Sequence, residues 1–185
     1  MVYSRVATGA TLYNFDIDLA DADRSVYESL ALRLARHPSE SEEYLVTRVL
    51  AYALEHAEGI AFSTGGLSDT DEPALTIRDL SGALRAWIEI GSPAAARVHQ
   101  ASKASPRVVI YTHKDVERLA SRLSGERIHR AEAIELYAID PDLISALASR
   151  LDRRMAFALS VSDRELFVSI GTDTLTGQVV RRAIA

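Results

Sequence analysis

A short, uninterrupted apolar segment gives the strongest constraint on how this chain can fold. Residues 108–111 read Val-Val-Ile-Tyr and lie between more polar segments. Adjacent apolar residues fit a strand covered on both faces, because a strand with one solvated face alternates apolar and polar side chains. Such strands lie in sheets that carry helices on both sides. The segment therefore predicts an α/β domain.

Alternating segments on both sides of this run predict a mixed sheet. Residues 13–19 alternate apolar and polar side chains, and residues 30–35 have the same period of two. Ser81-Gly82 and Asp163-Arg164 mark hairpin turns. The other predicted strands are 74–79, 84–90, 133–139, 155–161 and 166–170. We expect a three-layer α/β domain in which helices flank a mixed central sheet, with strand 84–90 in its centre.

Four helices are predicted between the strands. Ser39 and Glu42 have capping-box spacing ahead of an apolar stripe that runs from Leu45 to Leu54. Pro93 would open a small-residue helix as its first residue. The other two predicted helices cover residues 114–123 and residues 141–151.

Composition limits the classes of protein that fit. The 185 residues suit one domain, and they contain no cysteine, so disulfides and thiolate metal sites are excluded. No apolar run approaches the roughly 18 residues that cross a bilayer, and no secretory signal is visible, so we expect a cytoplasmic protein without a membrane partner. The net charge of −5 does not support nucleic acid as a partner, but nucleic acid and a protein both stay open as partners.

Glu89 is the most informative single residue. It lies within the apolar strand segment Ala86-Trp87-Ile88-Glu89-Ile90. An ionised carboxylate is costly to bury without a partner. Glu89 is therefore either a metal ligand or acid/base group, or one member of a buried ion pair with an arginine.

Hairpin geometry decides which acids lie near Glu89. If Ser81-Gly82 is the turn, the numbers of paired residues sum to about 163, so Asp79 lies about five residues along the strand from Glu89, roughly 17 Å at the rise of a strand. The acids expected beside Glu89 are Asp71 and Glu72. The alternative is that both belong to a solvated acidic loop.

Two further groups complete the candidate site. Glu42 and Glu43 lie at the start of the first helix, where at least one carboxylate is expected to point toward the core. The helix dipole alone also favours acids there. Gln100 and Lys103 share one stripe of the next helix, and Lys103 and Lys114 are the only lysines. The alternative for that stripe is an exposed polar face.

An ordered series of short motifs between residues 21 and 112 resembles the YaeQ family. The residues that carry the resemblance are Asp21-Ala22-Asp23-Arg24, Ala35-Arg36-His37-Pro38-Ser39-Glu40, Glu43, Arg48, Gly66-Leu67-Ser68, Asp71-Glu72-Pro73, Trp87-Ile88-Glu89-Ile90-Gly91, Pro93, Lys103-Ala104 and Tyr111-Thr112. The resemblance implies one domain, 1–185, with a restriction-endonuclease-like PD-(D/E)XK core at about 39–112. The core would run helix, three strands, helix, strand, between an N-terminal hairpin and a C-terminal β-rich extension.

The same resemblance implies a phosphodiester hydrolase that depends on Mg²⁺, with Mn²⁺ as the substitute. The implied metal ligands are Glu89, Asp71 and Glu72, and the implied catalytic residues are Glu43, Lys103 and Gln100. The lysine that such sites place two residues after the acid is Gly91 here. The alternative is therefore a catalytically inactive nuclease-fold protein that acts as a binding or regulatory partner.

Overall fold

One mixed sheet of ten strands organises the computed structural model, which describes residues 9–64 and 72–184. In chain order the strands are β1 Thr11–Asp21, β2 Val26–Arg36, β3 Ile60–Phe62, β4 Leu75–Arg78, β5 Leu84–Ile90, β6 Val108–Thr112, β7 Glu135–Ile139, β8 Arg154–Ser162, β9 Glu165–Ile170 and β10 Asp173–Arg182. Their order across the sheet is β2-β1-β8-β9-β10-β7-β6-β5-β4-β3. The predicted mixed α/β fold is confirmed.

Strand β10 joins the two halves of this sheet. Its first part pairs antiparallel with β9, and its last part pairs antiparallel with β7. Strands β5, β6 and β7 run parallel to one another, whereas β3, β4 and β5 form an antiparallel meander. The sheet is therefore continuous from β2 to β3.

Within the described residues, four α-helices cover two separate cores. They are α1 Glu42–Leu54, α2 Ala95–Ala104, α3 Val116–Ser124 and α4 Pro141–Ala148. The larger core contains residues of α1, α4 and both halves of the sheet, whereas the smaller one lies between α2, α3 and the opposite face of β5, β6 and β7. The sheet thus curls around α1 and is nearly closed, with α2 and α3 outside. Within the described ranges, no helix is long and apolar enough to cross a membrane.

Helix α1 links the two edge strands of the curled sheet. Arg48 donates a hydrogen bond of 2.8 Å to the carbonyl of Ala35 on β2, and its guanidinium lies 5.8 Å from the ring centroid of Phe62 on β3. Tyr52 stacks on Phe62 at a centroid distance of 4.7 Å. The buried carboxylate of Glu40 lies 3.2 Å from Arg48 and balances its charge. One buried side chain thus spans the gap between the edges.

The hairpin of β4 and β5 has the predicted register. Leu75 pairs with Ile88, Thr76 with Trp87 and Ile77 with Ala86, before an irregularity at Arg78. These three pairs agree with the sum of 163. Beyond the irregularity Leu84 pairs with Arg78 and not with Asp79, so Asp79 lies just outside β4, at the turn end of the hairpin. Asp79 is bound in the turn region, accepting 2.7 Å from Arg85 and 2.9 Å from the Ser81 backbone.

Three local predictions are wrong for identifiable reasons. The N-cap of α1 is Ser41, whose side chain accepts a hydrogen bond from the backbone of Tyr44, while Ser39 bonds to the ring of His37. Helix α2 begins at Ala95, so Pro93 precedes it. Strand β5 is third from the β3 edge and not central, because the N-terminal and C-terminal strands extend the sheet on the far side only.

Candidate functional site

Glu89 lies near the end of β5 on the face toward α2. Its neighbours Ile88 and Ile90 point into the larger core, so alternation along the strand turns Glu89 to the opposite side. The residue is buried, at 4% exposure. Its Oε1 accepts a hydrogen bond of 2.5 Å from the Trp87 indole and one of 2.7 Å from Nε of Arg97. Glu89 is thus in the buried ion pair that the sequence left as one of two alternatives.

The electrostatics of this pair follow from its burial. Desolvation raises the pKa of the Glu89 carboxyl, whereas the Trp87 hydrogen bond and the charge of Arg97 act to lower that pKa. The Arg97 guanidinium also lies 5.9 Å from the Trp87 ring centroid. The carboxylate is therefore held by two donors from its own chain.

Arg97 also brings the acidic segment before β4 next to Glu89. Its Nη2 donates 2.6 Å to the backbone carbonyl of Glu72. The Glu72 carboxylate itself turns elsewhere and accepts a hydrogen bond of 2.9 Å from Ser63. Asp71 lies outside the described residues. The segment is thus where the hairpin register places it, but the Glu72 side chain is engaged by a neighbouring loop.

Glu43 is half-buried at the start of α1, whereas Glu42 is exposed. The Thr47 hydroxyl lies 2.7 Å from the Glu43 carbonyl and 2.9 Å from Nδ1 of His113 at the end of β6. Burial and then the Lys114 charge lower the pKa of His113, and the Glu43 charge raises it. The Glu43 backbone and the His113 ring are therefore connected through the Thr47 hydroxyl.

The cation that faces Glu89 is Arg97, which the sequence analysis did not select. Lys103 and Gln100 are both exposed. At 100° per residue, Lys103 lies about 120° around α2 from Arg97 and Gln100 about 60°. The rarity of lysine drew attention to Lys103. The position of Arg97 along the chain was the better signal, since this residue lies in the first turn of α2 and directly precedes the buried Val98.

Gly91 shows why no lysine follows Glu89 at the usual spacing. Its φ of +84° lies in the left-handed region that side-chain-bearing residues rarely adopt. The backbone leaves β5 at this residue, where the Gly91 amide donates 2.8 Å to the carbonyl of Tyr111. In the part of the chain that the structure describes, no group of three acidic or histidine side chains could hold a metal ion.

A second feature is the basic outer surface of α2 and α3. Residues 93–130 carry eight basic and three acidic side chains, whereas the whole chain has a net charge of −5. Two of the eight, Arg97 and Arg107, are paired with acids outside this range, which leaves six basic side chains against the three acids. Lys114, Arg118 and Arg122 recur every four residues, are all exposed, and line a groove of about 640 Å³ with Ser92. We call these three side chains and their groove the α3 basic face.

The acids near this face are engaged. Asp115 caps α3 by accepting a hydrogen bond of 3.0 Å from the Arg118 backbone, and Glu117 pairs with Arg182 at 2.6 Å. Arg122 donates 2.9 Å to the Pro93 carbonyl, which neutralises no charge. Asp115 keeps its charge and lines the groove, so the three cations of the α3 basic face leave an excess of positive charge there.

Comparison with known proteins assigns the chain to a family. The model of the family described as YaeQ protein matches residues 6–179. The chain belongs to the YaeQ family. The YaeQ protein of Escherichia coli K12, described as uncharacterised, is 27% identical over 165 residues, which cover 89% of this chain and 91% of that protein. The Salmonella typhi YaeQ protein is 27% identical over 175 residues, 94% of this chain and 96% of that protein.

Solved YaeQ structures have the same fold. The crystal structure of YaeQ from Pseudomonas syringae superposes with a TM-score of 0.86 at 32% identity, over 95% of this chain and 97% of that one. YaeQ from Xanthomonas axonopodis pv. citri gives 0.83 at 30% identity, over 94% of this chain and 98% of that one. The curled ten-stranded sheet is thus the fold of YaeQ proteins.

Proposed function

We propose that this YaeQ protein has a PD-(D/E)XK nuclease-like core and binds nucleic acid in the cytoplasm without cleaving it. The α3 basic face carries the proposal, because a row of exposed cations on an otherwise acidic chain attracts phosphates locally, whatever the net charge. Support for the core comes from the order α1, β3, β4, β5, α2, β6, which matches helix, three strands, helix, strand.

The spacing of the cations suits a phosphate backbone. Residues four apart on a helix rise about 6 Å per step and remain on one side of it. Arg118 and Arg122, both on α3, would therefore meet successive phosphates along one strand, and Lys114, two residues before the helix begins, adds a third charge at its start. Arg offers two parallel donors to a phosphate and Lys one mobile charge. Such contacts position a nucleic acid and do not read its sequence.

The Glu89–Arg97 pair argues against cleavage. A Mg²⁺ ion at Glu89 would have to displace a guanidinium at 2.7 Å and lie beside its positive charge. Mg²⁺ also prefers carboxylates with room for several waters, whereas Glu89 is buried. The described residues do not supply a ligand set for Mg²⁺, so we derive no catalytic step through it.

Fluorescence anisotropy with labelled single-stranded and duplex oligonucleotides tests the binding. Each phosphate contact contributes about one to the slope of log K against log salt. The Lys114→Gln/Arg118→Gln double variant should lower that slope by about two and weaken binding to every sequence equally. The matched control is Arg33→Gln/Arg154→Gln, which removes two exposed charges from β2 and β8.

Two outcomes contradict the binding proposal. Equal weakening in both double variants would place the contact elsewhere on the surface. Binding of a poly-glutamate peptide in preference to the oligonucleotides would identify an acidic protein segment as the partner. Unchanged oligonucleotide after prolonged incubation with Mg²⁺ or Mn²⁺ is the expected result for cleavage.

A metal-dependent phosphodiester hydrolase is the second candidate. The observation in its favour is that Arg97 joins Glu89 to the backbone of Glu72 and so keeps the Glu72 backbone near the buried acid. In that candidate Glu89, Asp71 and Glu72 hold Mg²⁺ or Mn²⁺, while Glu43, Lys103 and Gln100 assist. Heat on titration with Mn²⁺ that disappears in Glu89→Gln, together with cleavage of any oligonucleotide, would establish it.

A further inference from the structure

The curled sheet leaves a cavity at the end where α1 stops. Its volume is about 400 Å³, within the range of roughly 300–1,000 Å³ that is typical of small-molecule sites. The wall combines the end of α1, the β1–β2 and β8–β9 turns, and side chains of β4, β7 and β10. The cavity opens beside the inner core, whereas the α3 basic face belongs to the outer layer.

Two stacked tyrosines form the flat part of the wall. The rings of Tyr111 and Tyr137 lie 5.2 Å apart with an interplanar angle of 20°. Leu54, Val161 and Val179, all buried, line the cavity with them. Stacked rings and branched aliphatic side chains favour a flat, apolar ligand body.

A hydrogen-bonded network holds these tyrosines in place. The Tyr111 hydroxyl donates 2.8 Å to Glu55, and the Tyr137 hydroxyl donates 3.0 Å to Glu135. Arg107 joins the two acids, with bonds of 2.6 and 3.1 Å to Glu55 and of 2.7 and 2.9 Å to Glu135. The wall is therefore preorganised before any ligand enters.

The β1–β2 turn is anchored in the same way. Arg24 donates 2.7 Å to Asp21 and 3.1 Å to each of the carbonyls of His56 and Ala53. The carboxylate of Asp23 accepts 2.7 and 2.8 Å bonds from two backbone amides of the β8–β9 turn. These residues belong to the motif Asp21-Ala22-Asp23-Arg24, which the α3 basic face does not use.

Arg164 is different from the other cations of the cavity. It lies in the β8–β9 turn with φ of +62°. Its backbone amide donates a hydrogen bond to Asp23, and its backbone carbonyl accepts one from the Val179 amide, so these contacts do not involve its side chain. Of the three arginines that line the cavity, Arg24 and Arg107 are bonded by their side chains. The Arg164 guanidinium has no hydrogen bond or ion pair within residues 9–64 and 72–184. It is therefore the cation of the cavity wall whose donors are available to a ligand.

We propose that this cavity binds a small aromatic carboxylate, with its ring against Tyr111 and Tyr137 and its carboxylate on Arg164. Asp21 and Glu55 are paired with Arg24 and Arg107, and Asp23 accepts bonds from backbone amides, so the side-chain donors of the wall that remain available to a ligand are those of Arg164. A guanidinium binds a carboxylate through two parallel donors. The proposal does not depend on nucleic-acid binding, since it concerns the opposite side of the sheet.

Amide chemical shifts recorded during titration with phenylacetate test the site. We expect shifts concentrated at residues of the cavity wall, and affinity for phenylacetate at least tenfold above that for phenethylamine, which has an ammonium in place of the carboxylate. Arg164→Gln should lower phenylacetate affinity about tenfold or more, as loss of a charge-assisted bond does. Ala57→Trp, at an exposed wall position, should block binding while the protein stays folded.

The matched control is Arg154→Gln. Arg154 is exposed on the same strand as Val161 but lies seven residues from it, about 23 Å at the rise of a strand. Phenylacetate affinity should not change in this variant. Shifts that cluster on α3, unchanged affinity in Arg164→Gln and Ala57→Trp, or no saturable shift at millimolar phenylacetate would each overturn the proposal.

Discussion

Replacing Arg97 by methionine distinguishes a structural ion pair at Glu89 from a metal site. The Glu89 side chain is 5% exposed and that of Arg97 is 24% exposed. Removing one member of a buried pair costs about 3–5 kcal/mol of unfolding free energy, and the partial exposure of Arg97 places the expected cost near 3 kcal/mol. For a domain of this size, each kcal/mol lowers the thermal midpoint by roughly 2–4 °C, so Arg97→Met should lose about 6–12 °C.

Two further variants make the measurement specific. Arg118→Met removes an exposed arginine from α3 and should change the unfolding free energy by less than about 0.5 kcal/mol. The double variant Glu89→Gln/Arg97→Met removes both charges and should regain much of the lost stability, because no ionised group is then buried unpaired. Urea denaturation of the wild type, Arg97→Met, Glu89→Gln and the double variant gives the coupling energy of the pair.

The pH dependence of Arg97→Met has a definite sign. Burial already raises the pKa of Glu89 in the folded protein, and loss of the guanidinium raises that pKa further. A carboxyl with a raised folded-state pKa stabilises the protein at low pH, and this contribution is lost as pH rises through that pKa. The penalty of Arg97→Met should therefore be smaller at about pH 5 than at about pH 8.

Thermal unfolding in the presence of a divalent metal tests whether Glu89 is a metal ligand. Millimolar Mg²⁺ or Mn²⁺ should leave the thermal midpoint of the wild-type protein unchanged, since a ligand stabilises only a folded state that binds it. A midpoint that rises with Mn²⁺ in the wild type and not in Glu89→Gln would show that Glu89 holds a metal. Equal stability of Arg97→Met and Arg118→Met would show that the pair is not structural.

Two predictions concern other parts of the fold. Arg48→Met should lower the unfolding free energy by about 3–5 kcal/mol at neutral pH, measured by urea denaturation, because it leaves the buried Glu40 unpaired. The loss should be smaller at about pH 5, since burial raises the pKa of Glu40. A loss that does not change with pH would contradict this. Gly82→Ala should lower the unfolding free energy by about 1–2 kcal/mol, because its φ is positive. Gly59→Ala should lower it several times more, since Gly59 also has a positive φ and a β-carbon there would overlap the Arg78 carbonyl. Equal thermal midpoints of the two variants would contradict this overlap.

Local pattern predicted most of the strands because each has a clear periodicity. The buried run at β6, the alternating β1 and β2, and the hairpin of β8 and β9 lie where the sequence places them. Strand β10 was missed, since its residues Asp173–Arg182 are mostly polar and exposed and it is held by pairing with strands on both sides. Such a strand is defined by tertiary contacts that a short window does not contain.

The candidate site was predictable where it depended on register and not where it depended on side-chain direction. Counting from the turn brings the segment before β4 to Glu89, and Arg97 contacts both. The choice between Lys103 and Arg97 depends on where α2 begins and how it rotates against the sheet. A shift of two residues in that helix start moves the predicted face by about 200°. The metal-site and catalytic assignments stay predictions; they concern Glu43, Asp71, Glu72, Glu89, Gln100 and Lys103.

The position of β10 in the sheet also sets an order of events during synthesis. A ribosome releases the chain from its N-terminus, and β10 is the last of the ten described strands to emerge. Until it does, β9 and β7 each present an unpaired edge. Strand β1 must likewise wait for β8, more than one hundred residues later. Sheets closed by such distant pairings form slowly, so the nascent protein holds two open half-sheets, and its exposure to aggregation ends when the last strand pairs.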